Sequence, residues 1–194
     1  MAGVRKFDET AVIDAALRLF WQRGYGATAM ADLADATGVQ RGSLYNAYGG
    51  KEQLLLRALD RYAELQGSAV VVALNDPDPR RAIGGFLDAH MARMANPKNP
   101  AGCLMCQIAL ECGGRHPVPS DAVRRSFLRT EIALCQVLQR GKEAGLLPSG
   151  ADAPALARFY LGVSRGMAVL HRAYGDLDPV RDVAREALRL LDTA

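Results

Sequence analysis

Nearly every stretch of this chain repeats its apolar residues at intervals of three and four, the spacing that lines them along one face of an α-helix. Val12, Ala15, Ala16, Leu19 and Phe20 form one such stripe, and Leu54, Leu55, Ala58, Leu59 and Tyr62 form another. Glycine and proline break the pattern at Gly24 and Gly26, Gly38, Gly49-Gly50, 75–80 (NDPDPR), 95–102 (ANPKNPAG), 113–119 (GGRHPVP) and 145–154 (GLLPSGADAP). The breaks predict nine helices: one from an Asp8 cap to Gly24, then 29–36, 40–48, 51–73, 79–95, 102–112, 119–144, 153–173 and 179–191. Inward positions expected on the seventh are Val123, Phe127, Ile132, Leu134 and Leu138; on the eighth, Leu156, Phe159, Tyr160, Val163, Met167 and Leu170. Only the valines at 70–72 suggest a strand, and they are too few and too isolated to build a sheet. The expected fold class is therefore all-α.

Composition narrows the function. Of 194 residues, 49% are apolar and 23% charged, the balance of an ordinary globular protein. No run of 18 apolar residues occurs, and the start MAGVRKFDET lacks the apolar core of a signal peptide, so a cytoplasmic protein with no membrane partner is expected. The net charge is only +3, too small for coating nucleic acid by bulk charge. Apart from Lys6, Lys51, Lys98 and Lys142, every basic residue is arginine, whose planar fork suits phosphates and guanines.

Residues 28–48, TAMADLADATGVQRGSLYNAY, place two short helices around a glycine turn. That is the layout of a helix-turn-helix, whose second helix enters the major groove of DNA. Leu33 and Ala34 pack the first helix, Gly38 turns the chain and Val39 closes the small core. Gln40, Arg41, Ser43, Tyr45 and Asn46 then cover the outer face of the second helix. They are hydrogen-bonding side chains where a merely solvated face is usually rich in Glu and Lys. Gly42 has no side chain to hold the backbone away from DNA.

The segment resembles the signature of the TetR family of transcriptional regulators. The matching positions are Gly24-Tyr25, Thr28, Asp32-Leu33-Ala34, Gly38-Val39, Gly42-Ser43-Leu44-Tyr45, Tyr48 and Lys51-Glu52-Gln53-Leu54. The resemblance covers about residues 8–60. It implies a three-helix DNA-binding domain at 1–50 and a helical effector-binding and dimerisation domain at 51–194. By position it implies phosphate contacts from Thr28, Tyr45 and Lys51, and base reading by Gln40, Arg41, Ser43 and Asn46, with Arg41 the candidate for a guanine. Leu44 and Tyr48 fall at core positions. Gln40 replaces a common Ser or Thr cap, and Gly49-Gly50 replaces a loop that often carries Pro, Ser or Asn.

The family plan further implies a homodimer on palindromic operator DNA, paired through the last two helices. Gly162, Gly166 and Ala168 would allow close packing there, as would Val180, Val183, Ala187, Leu190 and Leu191, unless these faces fill the chain's own core. It also implies a small-molecule effector pocket between helices four and eight. Phe86, His90, Met91, Met94, Leu104, Ile108, Phe127 and Tyr160 are the candidates to line it, or are plain core.

Cys103, Cys106 and Cys112 fall within ten residues. They read as a metal site with His116, as a thiol sensor, or as small apolar core residues; Cys135 reads as core. In the sensor reading, which some family members resemble, Cys103 at a helix start is the reactive thiol and Cys106 or the second subunit's cysteine resolves it. No P-loop, nucleophile elbow, paired-carboxylate motif or dinucleotide fingerprint is present, so neither catalysis nor a cofactor is expected. The competing class is a helical small-molecule or electrophile-binding protein with no DNA role.

Overall fold

A computed structural model describes residues 7–148 and 150–192. The first six residues of the expected reading domain and Ser149 of the 145–154 break lie outside them. The described residues form an all-helical fold: α1 (Glu9–Arg23), α2 (Met30–Thr37), α3 (Arg41–Tyr48), α4 (Lys51–Leu74), α5 (Pro79–Ala95), α6 (Leu104–Cys112), α7 (Pro117–Glu143), α8 (Ala153–Tyr174) and α9 (Asp178–Leu188), with a closing 3-10 turn at Arg189–Leu191. Valines 70–72 continue α4.

Local chemistry sets the boundaries. Asp8 caps α1 by accepting from the Thr10 and Ala11 N–H groups. Asp78 caps α5 by accepting from the Arg80 and Arg81 N–H groups, and Pro79 opens that helix. Two starts differ from expectation by two residues. Gly102 has φ +88, outside helical space, so α6 begins only at Leu104. Proline is well suited to a first turn, so α7 already begins at Pro117.

The helices gather into two compact units, Met1–Glu64 with Leu104–Val123, and Leu65–Cys103 with Arg124–Ala194. The first thus runs past residue 50 into α4. Two contacts explain it: buried Trp21 meets buried Tyr62 edge to face at 4.9 Å, and Arg61 bonds Asp14 at 2.8 Å. In the same unit Glu111 on α6 accepts the Gly26 N–H at 2.9 Å, fastening the turn between α1 and α2.

In the second unit α5, α8 and α9 pack together. The Tyr160 hydroxyl donates to the Ala187 carbonyl at 2.9 Å, joining α8 to α9. Gly85 lets α5 approach the end of α4, where an added Cβ would stand 2.9 Å from that of Ala73. Tyr160, Ser164, Met167 and Ala168 are buried, so Ala168 faces inward, not toward a second subunit. Phe159 and Ile132, expected inside, are outside at 42% and 49% exposure. On α8 the outer stripe runs Phe159, Gly162, Gly166 and Val169, at the three-and-four spacing of a second apolar face. Val180, Ala187 and Leu191 are buried, which leaves Leu190 as the exposed apolar residue of that final stretch.

Candidate nucleic-acid interface

The candidate reading helix α3 is eight residues long and has no side-chain cap, since Gln40 at the cap position makes no such bond. A helix this short is not stable alone in water. It is held by Leu44 and Tyr48, which are buried, and by α2, which packs against it. α2 is better anchored. Asp32 accepts the Ala29 N–H at 2.7 Å and pairs with Arg23 at 3.1 Å, and Gly38 closes the helix in the left-handed conformation.

Inward anchoring turns the other side outward. Gln40, Arg41, Gly42, Ser43, Tyr45 and Asn46 are all exposed. The Arg41 guanidinium lies 5.7 Å from the Tyr45 ring centre, so each restrains the other. A Cβ at Gly42 would meet nothing within 4 Å, so no packing within the chain accounts for a glycine there. Lys51 starts α4, where a cation opposes the helix dipole and costs about 0.3–1 kcal/mol. Its Nζ donates to the Tyr25 carbonyl at 2.9 Å and sits 4.2 Å from that ring, using one of three N–H donors in that bond. A phosphate oxygen would accept from the others.

The Thr28 hydroxyl is committed within the chain. Thr28 is 1% exposed, and its hydroxyl donates to the Gly24 carbonyl at 2.6 Å. It braces the turn before α2 and offers no hydroxyl to a phosphate. Glu111 and Tyr25 support this interface through contacts that no local sequence signal marks. The bond from Gly26 to Glu111 spans 85 positions, and Tyr25 meets His116 edge to face at 5.3 Å.

Residues 12–58 match the family model of bacterial regulatory proteins of the tetR family, and residues 79–187 match that of the tetracycline-repressor-like C-terminal domain. The chain belongs to the TetR family of transcriptional regulators. It is a DNA-binding regulator. Among relatives of this TetR-family chain, the transcriptional repressor ComR of Escherichia coli is 30% identical over 95% of this chain and 89% of its own. The uncharacterised regulator YezE of Bacillus subtilis is also 30% identical, over 99% of this chain and 100% of its own. Of solved structures, a cysteine mutant of the TetR-family regulator CifR bound to a 26-base-pair operator superposes with a TM-score of 0.90 at 28% identity, covering 98% of this chain and 100% of that one.

The candidate pocket residues divide between the two units. Leu104 and Ile108 are buried in the first. Phe86, His90, Met94 and Tyr160 are buried in the second, with Met91 and Phe127 half-buried. Tyr160 spends its hydroxyl on Ala187, a structural use. His90 lines a cavity of about 60 Å³ walled also by Leu65, Gln66, Ala69, Val70, Ala89 and Arg93. Its Nδ1–H donates to the Phe86 carbonyl at 2.9 Å. Burial, with Arg165 and Arg93 nearby, pushes its pKa down to about 4, so the ring is neutral near pH 7.

Cys103 is 5% exposed and directly precedes α6, and the Arg165 Nη1 reaches its sulfur at 3.7 Å. Arginines hold the adjoining backbone too: Arg93 donates to the Gly102 carbonyl at 3.0 Å and Arg172 to that of Ala101 at 3.4 Å. Cys106 and Cys135 are half-buried. Cys112 is buried, and burial together with Glu111 pushes its thiol pKa up, away from reactivity. Among the described residues no group of three or more His, Cys, Asp or Glu side chains is placed to hold a metal ion.

Gly42→Leu separates folding from DNA contact. Gly42 is the second residue of α3, and the site has room for a larger side chain. Thermal denaturation should show equal or greater stability, while fluorescence anisotropy should show operator affinity at least tenfold weaker. Full affinity in a stable variant would mean that the α3 backbone does not approach DNA.

Proposed function

We propose that this chain is a homodimeric repressor that sets α3 of each subunit into successive major-groove faces of a palindromic operator. The carrying observation is the fully exposed polar face of α3, with Lys51 and Tyr45 flanking it as phosphate donors and Arg41 as the base reader. Charge alone would not hold it there: residues 1–61 contain eight basic and seven acidic side chains. Affinity must come from placed contacts doubled by symmetry. The outer α8 stripe of Phe159, Gly162, Gly166 and Val169, with Leu190, is the face a second copy covers. Its glycines let two helices cross closely.

Effector binding in the second unit then acts through α4, which opens with Lys51 and whose later residues Gln66, Ala69 and Val70 wall the cavity. A shift of α4 changes the distance between the two reading helices. Both sets of contacts weaken together, so a small displacement translates into 1–3 kcal/mol of coupling, the usual order. A second release route is modification of Cys103. The Arg165 contact, Nη1 to sulfur at 3.7 Å, is the observation that favours it.

Two variants test these roles. Arg41→Ala should weaken operator binding by about 1–3 kcal/mol and relax selectivity at one base pair of each half-site, measured by anisotropy on single-base operator variants. Unchanged affinity and selectivity would remove Arg41 as the base reader. Cys103→Ser should stay on the operator after treatment with N-ethylmaleimide or hydrogen peroxide that releases the native protein. Equal release would place the sensing thiol elsewhere or discard this route.

A further inference from the structure

The peptide group between Tyr25 and Gly26 is gripped at both ends. Its N–H donates to the Glu111 Oε2 at 2.9 Å, and its C=O accepts from the Lys51 Nζ at 2.9 Å. A trans peptide is planar and points its N–H and C=O in opposite directions, so a hold on one end aims the other. The group lies between a carboxylate and an ammonium, and both bonds are charge-assisted. Hydrogen bonds in such a chain polarise the shared amide and strengthen one another.

Glu111 is itself held. Its Oε1 accepts from the Gln107 Nε2, one turn back along α6, at 3.2 Å. Gly24 has φ +86, and a Cβ there would run into the Glu111 carboxylate and stand 2.8 Å from the Gln107 amide nitrogen. The turn after α1 therefore rests directly against this pair. Just beyond α6, His116 meets the Tyr25 ring edge to face at 5.3 Å, and the Lys51 ammonium sits 4.2 Å from the same ring. Residues 111 and 116 thus support both groups on which Lys51 leans, the carbonyl and the ring. A free lysine is a point charge on a flexible four-carbon stem. Holding it beforehand lowers the ordering cost that a phosphate contact would otherwise carry.

We propose that Glu111 is a positioning residue for the DNA contact of Lys51: it fixes the 25–26 peptide so that the carbonyl directs the ammonium to a phosphate. The proposal rests on the phosphate role given to Lys51 above and adds a residue that need not touch DNA. Its sign is diagnostic. If only charge counted, removing a carboxylate would tighten DNA binding, whereas losing the position of Lys51 weakens it.

Fluorescence anisotropy on an operator duplex selected from random DNA, read across a series of salt concentrations, tests it with the full-length protein. Glu111→Ala should weaken binding at least tenfold. It should also lower the slope of log affinity against log salt by about 2 per dimer, since each lost phosphate contact removes roughly 0.9. Glu111→Gln still offers Gly26 an acceptor and should bind as tightly as the native chain or tighter. Lys51→Met should reproduce the Glu111→Ala losses, and the double variant should be no worse than Lys51→Met alone. Glu111→Asp keeps the charge but withdraws the carboxylate by one methylene. It should show the same losses, and carries the test if thermal denaturation finds Glu111→Ala unfolded. Native affinity in both Glu111→Ala and Glu111→Asp, an unchanged salt slope, losses that add to those of Lys51→Met, or a Glu111→Gln as weak as Glu111→Ala would each overturn the proposal. A weakened Lys51→Met beside an unaffected Glu111→Ala sinks this role alone. An unaffected Lys51→Met sinks the phosphate role of Lys51 and this role with it.

Discussion

The DNA-reading face depends on two buried side chains, Leu44 and Tyr48. α3 is too short and too poorly capped to persist by its own hydrogen bonds, so its conformation is imposed by what it packs against. That inward attachment frees the opposite face from any structural duty. Arg41, Ser43, Tyr45 and Asn46 stand exposed on that face, and a Cβ at Gly42 would meet nothing within 4 Å. The same economy appears at Lys51, a cation placed at the unfavourable end of its helix dipole.

Where the cause of a feature is local, the sequence was readable. Asp8 marks a helix start through bonds to residues two and three positions on, Gly38 ends a helix by its left-handed conformation and Pro79 opens one, and the expected ends there agree with the observed ones. The exposed face of α3 follows from one apolar stripe and its complement. Where the cause is distant, periodicity gave the wrong side or nothing. Thr28 looks like a helix-start hydroxyl in sequence, yet the fold buries it against Gly24. Phe159 and Ile132 fall on apolar stripes yet stand exposed, because a stripe by itself does not tell a buried face from an outer one. Glu111, Arg93, Arg165 and Arg172 act across 9 to 85 positions, and nothing near them in sequence announces their partners.

Function follows from how little each contact supplies. A near-neutral reading unit gains no large electrostatic affinity, so operator binding rests on a few directional contacts made twice. A system of that kind is easily switched, since losing the alignment of one copy removes about half of the binding energy. In the proposed mechanism, effector binding in the second unit or modification of Cys103 need only bias α4 by a small amount. The arginine-held segment 101–103 lies in the same unit as the cavity, so both inputs act on one body.

Selection of bound sequences from a random double-stranded DNA pool tests this account most directly, followed by binding to one half of the recovered site. An inverted repeat should emerge, with deletion of one half lowering affinity at least a hundredfold. Recovery of a single asymmetric site, bound as tightly without its second half, would contradict the claim that DNA recognition depends on two symmetric copies.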